Sequence, residues 1–131
     1  MCWTSSIAIP IILKKPLRVY KLGTPTILNG FISSYQNFMY LKGKILPTIE
    51  INPIFERRYF PTSLMGDTWD SDIFYIFEGY HSYLTKKIAK LRRYSSDKIG
   101  IFEIPSGATI YVNYRYEEVV STDIKYLGLL E

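Results

Sequence analysis

Apolar and polar residues alternate through most of the chain, and a helical period shows in one stretch only. Leu17–Lys21 reads as a strand bounded by Pro16 and by Gly23-Thr-Pro25. Ile27–Ile32 is a second candidate, interrupted by Asn29-Gly30. Phe38–Leu41 and Ile45–Ile51 flank Lys42-Gly43-Lys44, whose composition predicts a hairpin turn. Asp72–Phe77, Ile99–Ile104, Thr109–Tyr114 and Val119–Leu129 complete the strands, with a turn at Pro105-Ser-Gly107 and a link over Tyr114–Glu118. The helical stretch is Thr85–Tyr94, where Ile88, Leu91 and Tyr94 recur three apart on one face. Thr85 or Ser82 caps its start, and Ser95-Ser96-Asp97 and then Gly100 end it. The segment 52–72 has little period and carries Pro53, Pro61, Gly66 and three Asp, which predicts a long irregular loop. These elements predict one α+β domain over residues 1–131, mostly antiparallel strands with one main amphipathic helix.

Composition narrows the function. With 131 residues, 47% hydrophobic and 16% aromatic, the chain has enough apolar mass for a core, which excludes a disordered protein. A single Cys and a single His exclude an internal disulfide framework, a Cys-based zinc site and a His cluster. No apolar run reaches the ~18 residues of a membrane span. No basic segment precedes the apolar stretch Ile7–Leu13, and Lys14-Lys15 follow it, the wrong side for a secretory signal. The expectation is therefore a cytoplasmic protein with no membrane partner and no cofactor. Cys2 reads as a terminal residue, with a reactive thiol as its alternative.

Candidate chemistry is sparse. The helix carries Lys86, Lys87, Lys90, Arg92 and Arg93 with no acid among them, a stripe suited to phosphate-bearing partners or simply to solvent. Asp67, Asp70 and Asp72 cluster without the spacing of a calcium loop, so no metal is expected. His81, the sole imidazole, stands in Glu78-Gly-Tyr-His-Ser-Tyr83 and can act as a base, contact a ligand or hold the turn. No Gly-x-Ser-x-Gly elbow accompanies it. Tyr111, Asn113 and Arg115, with Tyr114 and Tyr116, have the composition of a binding surface and equally that of a hairpin with cross-strand aromatic pairs. Arg57-Arg58-Tyr59 is a second anion contact or a solvated run.

A wider pattern runs through Met1-Cys-Trp-Thr-Ser5, Arg18-Val-Tyr-Lys21, Ser34-Tyr-Gln-Asn-Phe38, Glu78–Tyr83, Ile99–Ile104, Pro105-Ser-Gly-Ala108, Ile110–Tyr116 and Val119-Val-Ser121. It resembles small uncharacterised proteins of phages and mobile elements of gut bacteria. That resemblance implies a non-catalytic anti-defence or host-takeover factor that blocks a host protein or sequesters a nucleotide-derived ligand. A narrower set is similar to the ADP-ribosyltransferase fold: Arg18 on a strand, Ser82 before a helix, and Glu118 before a late strand. There His81-Ser-Tyr83 replaces the family's Ser-Thr-Ser, and Glu117-Glu118 replaces its Glu-x-Glu. This second resemblance implies an enzyme acting on NAD or a nucleotide through Arg18, His81 and Glu118.

Three readings follow. The first is a binding protein whose ligand contacts are His81, Lys86, Lys90, Arg93, Tyr111, Asn113 and Arg115. The second is the enzyme just named. The third is a nucleic-acid binder using the basic helix 85–94. The aromatic load adds the expectation of a homodimer.

Overall fold

The computed structural model describes residues 3–34, 38–61, 68–94 and 96–130, with backbone alone over 58–61 and 68–72. Twelve strands and one helix are found among them. In chain order they are β1 Trp3–Ser5, β2 Ile11–Ile12, β3 Leu17–Pro25, β4 Gly30–Ser33, β5 Met39–Leu41, β6 Ile54–Pro61, β7 Thr68–Ile76, β8 Tyr80–Tyr83, α1 Lys86–Arg92, β9 Lys98–Ile104, β10 Thr109–Asn113, β11 Glu118–Ser121 and β12 Lys125–Leu129. The pairing between strands is antiparallel throughout. The fold is strand-dominated.

The large sheet runs β12-β9-β3-β8-β11-β10-β2, with β4 and β5 branching from β3. The branch does not hang loose. Bridges Lys42↔Tyr126 and Ile45↔Lys125 bring the end of β5 back to β12, so this end of the sheet curls on itself. Its interior is aromatic. Phe102 lies 5.5 Å from Phe31, 5.0 Å from Tyr40 and 5.0 Å from Tyr126, ring to ring. The curl needs close backbone approach, and Gly23 provides it: a Cβ there would run into the carbonyl oxygen of Ile32 on β4.

Strand alternation sorts side chains between the two faces of this sheet. Val19, Tyr80, Phe102, Ile104, Ile110 and Val119 face inward and join the main core. Tyr20, Leu22, Tyr83 and Ile99 face outward beneath the helix, where Ala89 closes the layer. Tyr111 and Val120 face outward beneath the smaller sheet β1-β7-β6, against Trp3 and Ile76. Central strands are thus buried on both faces, which explains the near-continuous apolar runs of β9, β10 and β11.

Four expectations from the sequence need correction. The irregular loop placed at 52–72 contains most of a hairpin: Ile54 pairs with Tyr75 and the ladder continues to Pro61↔Thr68. The ladder itself organises this segment, with Arg57 set opposite Asp72, and Pro61 falls at its end, where losing an amide donor costs little. Residues 62–67, with Asp67 and Gly66, lie outside the described residues, as do Cys2 and the side chains of Arg58, Tyr59, Asp70 and Asp72. Second, Ile45–Ile51 is not a strand. Leu46 and Ile49 instead donate to the carbonyls of Ile124 and Thr122, so the segment crosses the sheet end. Third, Val119–Leu129 splits into β11 and β12, because Thr122 and Ser121 bond to Asp123 and turn the chain. Fourth, the helix has seven residues, and the face assigned to Leu91 and Tyr94 is solvent: they are 72% and 75% exposed. The docking residue is Ala89, since a small side chain lets the helix backbone close on Tyr20 and Tyr83. Thr85 caps it as expected, accepting from the Ile88 amide at 3.3 Å.

Candidate functional site

The seven ligand contacts proposed from the sequence do not converge. Tyr111 is buried and meets Trp3 edge to face at 6.3 Å, so it is a core residue. Asn113 is buried too. Its amide donates to the Thr4 carbonyl at 2.6 Å, and its Oδ1 accepts from the amides of Arg115 and Tyr116 at 3.0 and 3.3 Å. It therefore ties β1 to β10 and closes the turn after β10, which leaves it little to offer a ligand. Lys86, Lys90 and Arg93 are exposed on α1, as a solvated helix face would be. Arg115 is exposed, and its guanidinium lies 5.4 Å from the Tyr116 ring.

His81 sits on the outward face of β8, buried to 6% exposure. One ring nitrogen, Nε2, lies 3.2 Å from the Phe77 carbonyl, which can only accept, so Nε2 carries the proton. Nδ1 is buried with no hydrogen-bond partner among the described residues. Burial, reinforced by the nearby Lys21 charge, lowers its pKa to about 4, so the ring is neutral at physiological pH. Glu118 shares that outward face on the neighbouring β11, paired with Tyr83, one diagonal step from His81. Its carboxyl is half-buried and titrates above the ordinary range, because burial outweighs the opposing charge of Arg92. Arg18 stands apart: it is exposed on β3, paired with Glu103 of β9. Ser82 turns its side chain to the inward face, away from His81 and Glu118.

Sequence reasoning missed Lys21. It is 2% exposed, on the inward face of β3 with Val19 and Gly23. Its Nζ donates to the His81 carbonyl oxygen and lies 5.2 Å from the Tyr40 ring and 5.7 Å from the Phe102 ring. Burial pulls its pKa down to about 7. The Ser82 hydroxyl on the adjacent strand and the Tyr40 hydroxyl are also buried without a described partner. The only signal in the sequence was its place between Val19 and Gly23 in a strand with apolar neighbours on both sides.

Open space lies elsewhere. A cavity of about 680 Å³ lies between the Thr48–Ile51 segment and the Pro105–Thr109 turn. Two carboxylates line it, Glu50 and Asp123, and Asp123 accepts from the Thr48 and Thr122 hydroxyls at 2.6 Å each. A groove of about 410 Å³ runs beside β10. Ile7, Ile9 and Ile11 form one wall, Val112 the floor, and Asn113, Tyr114 and Arg115 one end. A polar recess of about 280 Å³ continues it past Ser5, Ser6 and Arg115 toward Thr4 and Tyr116. Among the described residues, no carboxylate lines either part. Of the sequence-proposed residues, Asn113 and Arg115 are brought together here, the first as scaffold and the second as the exposed charge.

No group of three or more His, Cys, Asp or Glu among the described residues is placed to hold a metal ion. Among the described residues, no helix is long and apolar enough to cross a membrane. Comparison with protein-family models, with curated proteins and with solved structures finds no match to this chain.

Proposed function

We propose that this chain is a non-catalytic binding protein that works by occupying a partner's surface, in the manner of host-takeover or anti-defence factors of phages and mobile elements. The observation that carries the reading is the groove beside β10: concave, largely apolar, and ending on a cation with no carboxylate beside it. The groups an enzyme would use support the same side. His81 is held neutral by burial and the nearby Lys21 charge, against the opposing pull of the Phe77 carbonyl, and Arg18 is exposed two strands away from Glu118. The aliphatic wall favours a protein partner over a nucleotide, whose phosphates call for several convergent cations or a row of backbone amides. The basic helix contributes a steering field rather than a nucleic-acid site. The homodimer suggested by the aromatic load would draw on another surface, the exposed Ile27, Leu28, Met39 and Leu41 around one recess.

The test is a thermal-shift and turnover panel with NAD, ADP-ribose and cyclic dinucleotides. A ligand at a hundred times its dissociation constant adds about 2.7 kcal/mol to stability, which is readily seen. The expected result is no shift and no product. Hydrolysis or transfer from NAD that disappears in Glu118→Gln would overturn the non-catalytic reading.

A further inference from the structure

We propose that the groove beside β10 takes the C-terminal segment of a partner protein as an added β-strand, with its terminal carboxylate held by Arg115; this rests on the binding-protein reading above. The first argument is the backbone. On the β11 side the Thr109 carbonyl accepts from the Thr122 amide and the Thr109 amide donates to the Thr122 hydroxyl, while the Ala108 carbonyl accepts from the Leu13 amide on the β2 side. Alternation along an antiparallel strand then directs the N–H and C=O of Ile110 and of Val112 to the β2 side. Ile110 pairs there with Ile11. Two residues on, Val112 pairs with Val119 of β11 but with no described residue on the β2 side. Strand β2 ends at Ile11, and the chain preceding it leaves through Pro10, so no described residue bonds the Val112 backbone on that side. A short open edge therefore lies at the floor of the groove, the arrangement that strand addition requires.

The second argument is side-chain chemistry. Ile7 and Ile9 are 58% and 63% exposed on the wall facing that edge, apolar surface that a partner's alternate side chains would cover. The third is charge. Arg115 stands where β10 gives way to the turn held by Asn113, so the groove closes there and a chain end fits better than a chain passing through. Its guanidinium meets the Tyr116 ring and no carboxylate among the described residues. The Ser6 hydroxyl lines the same recess, and that of Ser5, which accepts from the Ile7 amide, keeps its own proton to donate. A carboxylate placed there gains a planar, permanently charged donor and two hydroxyls. A strand ending at Arg115 runs parallel to β10.

The experiment pans a display library of short peptides with free C-termini against the full chain. The tightest selected peptide is then made as the free acid and as the C-terminal amide, and both are titrated calorimetrically. The expected result is that the amide binds about tenfold more weakly. Arg115→Gln should remove that difference, and Ile9→Asp, an exposed change that circular dichroism can show to be folded, should weaken acid and amide alike. The Val112 amide should gain protection from hydrogen exchange on peptide binding. A library that yields no binder, a selected peptide indifferent to amidation, or unchanged exchange at Val112 would each overturn strand addition. Binding unaffected by both substitutions would also overturn it while leaving the binding-protein reading in place. NAD turnover in the panel above would remove that reading whatever the peptides do.

Discussion

Lys21 on β3 and Arg115 in the turn that follows β10 are both basic residues of one sheet, and their surroundings could hardly differ more. Lys21 lies inside the aromatic curl, with a single carbonyl to receive its protons and two rings beside it. Arg115 stands in solvent at the mouth of a groove. Desolvation acts on the first and hardly on the second, so the buried amine titrates near neutrality. The contrast separates two meanings of a charged residue. Inside, it is a cost that the surrounding core outweighs. Outside, it keeps its water and costs the fold little.

The largest effect expected is at Lys21. Its folded pKa of about 7 lies below the ordinary value of 10.5. Between these two values the unfolded chain holds the proton and the folded chain does not. Stability therefore rises with pH across that window, and the cost of the buried charge is fully present below about pH 7. Each decade of displacement is about 1.4 kcal/mol, so several kcal/mol are at stake. Lys21→Met, which keeps the volume, is expected to be more stable than the parent at pH 7 and to lose the rise toward pH 10. Guanidinium melts at several pH values measure this, and an equal rise in both proteins would contradict it.

A smaller effect of the same sign belongs to His81. Its pKa is lowered from 6.5 to about 4, so stability falls as pH drops through that interval. His81→Asn should flatten the acid limb of the stability profile while leaving the alkaline limb to Lys21. Identical acid limbs would place the effect elsewhere.

At the groove, the comparison predicts that scaffold and contact separate. Asn113→Ala removes the bond to Thr4 and the two turn amides, and should cost about 1–2 kcal/mol in denaturant melts. Arg115→Ala, one turn further on and exposed, should change stability by less than about 0.5 kcal/mol. If Arg115→Ala proved the more destabilising, its charge would be a structural element and the contrast with Lys21 would collapse.

Much of the strand layout could be read from the sequence, and the reasons are local. β9 ends at Pro105-Ser-Gly107, a turn announced by composition, and β10 follows directly. Thr85 announced the start of the helix. What misled was tertiary. A three-residue period at Ile88, Leu91 and Tyr94 implied a buried stripe, but in a seven-residue helix only Ile88 of the three packs on the sheet, beside the buried Ala89. Two prolines, a glycine and three aspartates within residues 52–72 suggested a loop, but cross-strand pairing overrides weak local propensity. Lys21 was invisible because a strand lysine ordinarily reaches water, and it is denied water here only by β5, β8 and β9 together, through Tyr40, the His81 carbonyl and Phe102. Arg115 and Asn113 were visible as residues, while the Ile7–Ile11 wall that gives Arg115 a setting lies more than a hundred positions away in the chain.

The central position of β3 has a consequence for how the chain is made. Leu17 pairs with Ile104 and Gly23 with Lys98, so the first long strand finds its main neighbour only after most of the chain exists. At synthesis rates of about 5–20 residues per second, β3 waits several seconds for β9. During that wait its apolar side chains have only the β4–β5 branch for company, and Lys21 remains in water. The charge is buried late, when β8 and β9 arrive together, and topology this non-local belongs with slow-folding β proteins rather than fast helical ones.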